Sequence, residues 1–70
     1  MVNLLLLEYT MKAKGLDRRM LSELQDWSLA TTNRRLNGSQ NWTIDEVQRL
    51  RGVGFTTDDI MKIFFNDDIS

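Results

Sequence analysis

The chain has 70 residues, enough for one small domain that buries ~60% of the surface its unfolded form exposes. It contains no cysteine and no histidine. That excludes disulfides, thiolate metal sites and thiol catalysis, and removes the commonest general base and zinc ligand. The net charge of −1 and the pI near 5.2 run against the basic balance of most nucleic-acid binders.

No proline is present, and the four glycines stand at plausible element ends, a pattern of short helices rather than a loop-rich fold. Val2 to Leu7 is apolar, but Glu8 follows. The run is too brief to span a membrane and lacks the basic start and small-residue cleavage site of a signal peptide. A soluble, cytoplasmic protein is expected. A first helix is predicted from about Asn3 to Lys14, with Asn3 as N-cap and Gly15 past its end. Leu4, Leu7 and Met11 share one face, at i, i+3 and i+7. Leu5 and Leu6 fall off that stripe and form either a wider buried face or a partner surface.

Asp17 suits the cap of a second helix, Arg18 to Gln25, with Met20, Leu21 and Leu24 apolar and Ser22 small enough for close approach. Asp26 follows at a turn, where Asp tolerates the left-handed conformation better than most residues. Trp27 is expected in the core. Ser28 caps a third helix, Leu29 to Leu36, whose predicted inward stripe is Leu29, Thr32 and Leu36. Ala30, Thr31, Arg34 and Arg35 then point outward, with Asn33 beside the stripe, and Asn37-Gly38 ends the helix.

After the polar loop Ser39 to Trp42, Thr43-Ile44-Asp45-Glu46 is a capping box. A fourth helix carries Ile44, Val47 and Leu50 on one face and stops at Gly52. Thr56 to Asp59 is a second capping box, for a fifth helix of about Asp58 to Phe65 that packs Ile60, Ile63 and Phe64. Phe65 is either core or contact surface, and Asn66 to Ser70 is expected to be a frayed tail. The sum is an all-α, compact five-helix domain over residues 1–70, without repeats or linkers.

Charge is unevenly spread. Residues 12–36 hold Lys12, Lys14, Arg18, Arg19, Arg34 and Arg35 against Asp17, Glu23 and Asp26, a local balance of +3. Residues 52–70 hold Lys62 against Asp58, Asp59, Asp67 and Asp68, a balance of −3. Such asymmetry points toward nucleic-acid contact. Catalytic parts are sparse. The acidic pairs Asp45-Glu46 and Asp58-Asp59 sit in predicted first turns, where negative charge offsets the helix dipole. No serine has a histidine partner, no EF-hand spacing occurs, and Gly52-Val53-Gly54 is too little for a phosphate loop. No enzyme, cofactor or metal site is expected.

The arginines are the positive signal. Arg pairs bidentately with guanine O6 and N7, Asn pairs with adenine, and Thr or Ala methyls meet the thymine methyl. Thr31, Asn33, Arg34, Arg35 and Ala30 supply these groups on one short helix. Arg18 and Arg19 stand at a helix N-terminus, where backbone N–H groups favour phosphate. The alternative is that the arginines merely solvate helix faces.

The stretches LSELQDWS and LATTNRRLNG, the polar loop, the capped helix and GFTTDDIMKIFF together resemble the lambda-repressor-like helix-turn-helix family. More narrowly, they resemble the small Cro-type and early regulatory proteins of temperate phages. The resemblance runs from Lys14 to about Phe65. Ser22 stands where that family has a small Ala, Asp26 where it has a turn glycine, Gln25 where it has a second Leu, and Thr32 where many members are apolar. Carried over, the family's DNA-binding positions fall on Arg18, Ser28, Leu29, Ala30 and Asn33, with Gln40 and Asn41 approaching phosphates. Leu29 suits either the core or a thymine methyl.

The resemblance implies a DNA-binding transcriptional regulator in a bacterial host cell, a repressor or Cro-like switch whose helix 28–36 reads the major groove. Its partner would be double-stranded DNA with a pseudo-palindromic operator, bound by a homodimer formed in solution or only on DNA. The competing expectation is a protein-interaction module, an antirepressor or adaptor, supported by the acidic pI and the Leu4 to Leu7 run.

Overall fold

The computed structural model describes residues 2–65. The expected tail of residues 66–70, with Asp67 and Asp68, lies outside the described residues. Among them the secondary structure is entirely helical: α1 (Leu4–Ala13), α2 (Arg18–Gln25), α3 (Leu29–Leu36), α4 (Ile44–Arg49), a 3-10 turn (Leu50–Val53) and α5 (Thr57–Phe64). No helix among these residues is long and apolar enough to cross a membrane.

Each helix starts where a side chain can accept a free backbone N–H of the first turn. Asn3, Asp17 and Ser28 accept from Leu6, Met20 and Thr31. Thr43 with Glu46 and Thr56 with Asp59 close complete capping boxes, and the acidic pairs occupy those first turns. Asp26 leaves α2 in the left-handed conformation, at φ 60°. Gly38 follows α3 at φ +87°, and a Cβ there would also come within 3.2 Å of the Leu4 side chain. The fourth helix does not run α-helically to Gly52. It tightens into a 3-10 turn over its last residues, a common way to satisfy terminal carbonyls.

The core draws on every helix. Leu7 and Met11 of α1, Leu21 of α2, Leu36 of α3, Val47 of α4 and Ile60, Ile63 and Phe64 of α5 meet Leu16, Leu50 and Phe55 from the connections. The Asn3 N–H donates to Ile63 O at 2.8 Å, tying the start of α1 to α5. Leu29, predicted on the inward stripe of α3, and Ile44, predicted on the apolar face of α4, face solvent instead, as does Met20 of α2. The leucine run of α1 is not a wide buried face either, because Leu5 is 81% exposed. In α3 the reason is direct. The inward positions are held by Thr32, Arg35 and Leu36, which turns Leu29 out.

Candidate nucleic-acid interface

α2 and α3 pack on each other through polar groups. The Ser22 and Thr32 hydroxyls lie 2.6 Å apart and buried. Ser22 Oγ is 2.9 Å from Arg18 O, and Thr32 Oγ1 is 3.0 Å from Ser28 O. Each hydroxyl has one proton, so one donates to its neighbour and the other to its own helix. Beneath this pair Gln25, also buried, donates from Nε2 to Glu46 O at 2.7 Å and accepts from Arg49 Nη1 at 3.2 Å. Ser22, Gln25 and Thr32 thus fill apolar-type positions with groups that satisfy one another or the backbone.

Arg35, expected to point outward, is 8% exposed. Its Nη1 donates to Glu46 Oε1, and its guanidinium carbon lies 4.6 Å from the centre of the Trp27 ring. Trp27 Nε1 donates to the other Glu46 oxygen at 3.4 Å. Trp42 donates from Nε1 to Arg35 O and packs edge-on against Trp27 at 5.1 Å and on Phe64 at 5.0 Å. Burial raises the Glu46 pKa. The Arg35 guanidinium, the Thr43 backbone N–H and Trp27 lower it further than burial raises it, so the carboxyl sits below its ordinary value of 4.5. This cluster joins the α2–α3 connection, α3, the following loop and α4, and with the hydroxyl pair it fixes the rotation of α3. Arg35 is therefore withdrawn from the outward set, because its charge is already matched inside.

The remaining candidates sit outside. Arg18, Arg19, Ser28, Leu29, Ala30, Asn33, Arg34, Gln40 and Asn41 are exposed, and Thr31 is half-buried. Of the two sets offered by the sequence, the family-like positions 28, 29, 30 and 33 are all turned outward, joined by Arg34.

Several of these side chains hold one another. Arg18 Nη1 donates to Asn33 Oδ1, joining the start of α2 to the middle of α3. Arg34 donates from Nε to Gln40 Oε1 at 3.3 Å and from Nη2 to Thr31 Oγ1 at 3.4 Å. Ser28 Oγ donates to Thr31 Oγ1 at 3.1 Å. Arg19 and Asn41 make no side-chain hydrogen bond among the described residues. Sequence reasoning missed Glu8, which pairs with Arg18 Nη2 at 3.6 Å on an exposed surface. Nothing local in α1 marks that contact. It also missed Glu46 as the partner of Arg35, although a buried arginine requires some such carboxylate. No group of three or more acidic side chains able to hold a metal is gathered among the described residues.

Comparison of the chain with protein-family models, with curated proteins and with solved structures returns no match.

Proposed function

We propose that the chain is a sequence-specific DNA-binding transcriptional regulator whose α2 and α3 act as a helix-turn-helix, α3 being the reading helix in the major groove. One observation carries this: the start of α2 and the outward side of α3 are joined in an exposed surface by the Arg18–Asn33 and Arg34–Gln40 contacts, with Arg19 exposed next to Arg18 in sequence. The exposed carboxylate paired with it is Glu8. Guanidinium and amide groups of this kind meet phosphates and base edges. Arg18 and Arg19 stand at the α2 N-terminus, whose backbone N–H groups favour the phosphate backbone. A surface of this size covers one half-site, so the regulator would act as a homodimer on a pseudo-palindromic operator and occlude a promoter in the manner of a repressor.

Titrating the chain with random duplex DNA at rising salt tests this. Released counterions make log affinity fall linearly with log salt, at ~0.9 per phosphate contacted. Binding at low salt with a slope of several phosphates is expected, and no binding at low salt would overturn the proposal.

A second function is favoured by a separate surface. Leu5 and Tyr9, 81% and 70% exposed, stand at i and i+4 on α1 and present an apolar strip suited to a protein partner. An interaction module of the antirepressor or adaptor kind would use that strip and show no affinity for DNA. The same titration separates the two.

A further inference from the structure

The hydrogen bonds on the outer side of α3 share a direction. Every side-chain oxygen they engage already accepts from a neighbour within the protein. Asn33 Oδ1 accepts from Arg18 Nη1. Gln40 Oε1 accepts from Arg34 Nε at 3.3 Å. Thr31 Oγ1 accepts from Arg34 Nη2 and Ser28 Oγ, and Asn37 Oδ1 accepts from the Ser39 backbone N–H at 2.9 Å. A guanidinium only donates. It therefore fixes the amide of Asn33 with oxygen toward Arg18 and nitrogen away, and does the same to Gln40. No side-chain hydrogen bond among the described residues engages Asn33 Nδ2 or Gln40 Nε2. Arg34 has five N–H donors and uses two of them. Around Asn33, Arg34 and Gln40 the groups left over are mainly N–H donors, beside the apolar Leu29 and Ala30.

A surface that presents mainly donors discriminates between bases. Guanine shows two acceptors in the major groove, O6 and N7, whereas adenine shows one acceptor and the N6 donor. An asparagine that reads adenine bidentately must offer both its oxygen and its nitrogen. Asn33 Oδ1 is turned toward Arg18 and accepts from it, and the positive charge of Arg18 opposes the approach of the adenine amino group. We infer that, on the DNA proposed above, the Arg18–Asn33 and Arg34–Gln40 pairs make this chain a reader of guanine rather than adenine. Arg18 is a positioning residue, held from its other side by Glu8, and Asn33 with Arg34 makes the base contacts. This inference rests on the DNA-binding proposal and goes beyond it by naming the base.

Selection of bound sites from random duplex DNA, with the wild-type chain and Arg18→Met in parallel, tests it. The wild type should enrich guanine over adenine by about tenfold at the positions facing α3, within the discrimination of one good bidentate contact. Arg18→Met frees Asn33 Oδ1, so one of those positions should change to adenine. Because Arg18 also attracts phosphate, preference rather than affinity is the readout. In Asn33→Asp the carboxylate still pairs with Arg18 but the N–H donors are gone, and the guanine enrichment at that position should disappear. Adenine selected by the wild type, an unchanged preference in Arg18→Met, or guanine retained by Asn33→Asp would each overturn the inference while leaving DNA binding in place. No selected DNA at all would overturn both.

Discussion

The two sides of α3 are built from the same residue types and put to opposite uses. Inward, Thr32 and Arg35 are buried and matched by Ser22 and Glu46. Outward, Thr31 and Arg34 lie one residue earlier in the sequence, bonded to each other, with Arg34 also donating to Gln40 and open to solvent. Burial makes the difference. A polar group removed from water costs free energy unless a partner inside replaces the water, so inward polar groups specify one arrangement of the chain. The same group in solvent fixes little of the fold and stays available to a partner. Arg34 and Arg35, adjacent in sequence, should therefore separate in every measurement of stability and binding.

The largest effect should come from breaking the inner side at its charge pair. Glu46→Ala leaves Arg35 buried without its carboxylate, and loss of one member of such a pair costs roughly 3 kcal/mol or more. A domain of this length has only ~4–10 kcal/mol in total, so thermal unfolding should show a large fall in Tm. Replacing both members, as Arg35→Met with Glu46→Leu, should recover most of that loss, because a buried ion pair is often no more stabilising than apolar side chains of similar volume. A double variant as unstable as Glu46→Ala alone would mean that the pair supplies stability and not only the rotation of α3.

Acid probes the same pair. The folded-state pKa of Glu46 lies below its ordinary 4.5, so the carboxylate contributes stability that is fully present above pH 4.5 and lost as pH falls through the folded value. Denaturant unfolding followed from pH 7 to pH 3 should show this decline. Glu46→Gln should flatten part of it. Asp59 supplies more of the same sign, because the Thr56 backbone N–H holds its carboxyl below the ordinary range. An unchanged acid profile in Glu46→Gln would contradict the assignment.

A smaller effect is expected at the hydroxyl pair. Thr32→Val keeps the shape and removes one hydroxyl, which should cost about 1 kcal/mol in the unfolding free energy. Removing both, with Ser22→Ala added, should restore stability to near the wild type, since two apolar groups then meet.

This pair also shows what the sequence disclosed and what it hid. The helix starts were legible because caps are local: Asn3, Asp17, Ser28, Thr43 and Thr56 each act within their own first turn. The left-handed turn at Asp26 was legible for the same reason. The rotation of α3 was legible only in part: Thr32 and Leu36 were expected inward and are buried. Its inward stripe is Thr32, Arg35 and Leu36 rather than a row of aliphatic residues, so periodicity of apolar residues placed Leu29 inside and Arg35 outside, each the reverse of the fold. The information lay in pairs distant along the chain, Ser22 with Thr32, Gln25 with Arg49 and Arg35 with Glu46. Gln25, Arg35 and Glu46 taken alone look like polar residues that belong on the surface. Buried polar residues are legible only together with their partners, and a hydrophobic pattern omits both.

On the outer side the effect on stability should nearly vanish. Arg34→Ala removes two exposed hydrogen bonds, to Gln40 and Thr31, and exposed polar contacts of this kind are worth no more than about 0.5 kcal/mol. Its thermal unfolding should overlay that of the wild type. Its affinity for duplex DNA should fall about tenfold with the salt slope unchanged, because its contact is to a base; a slope reduced by about one would place Arg34 on phosphate instead. Arg35→Ala should do the reverse at moderate temperature: a large fall in Tm, and binding lost only to the extent that α3 loses its orientation. The decisive measurement is affinity at a temperature where both variants are fully folded by circular dichroism. If Arg35→Ala loses as much affinity there as Arg34→Ala while α3 keeps its orientation, the buried guanidinium turns outward on DNA, and the inner and outer sides of this helix are not separate.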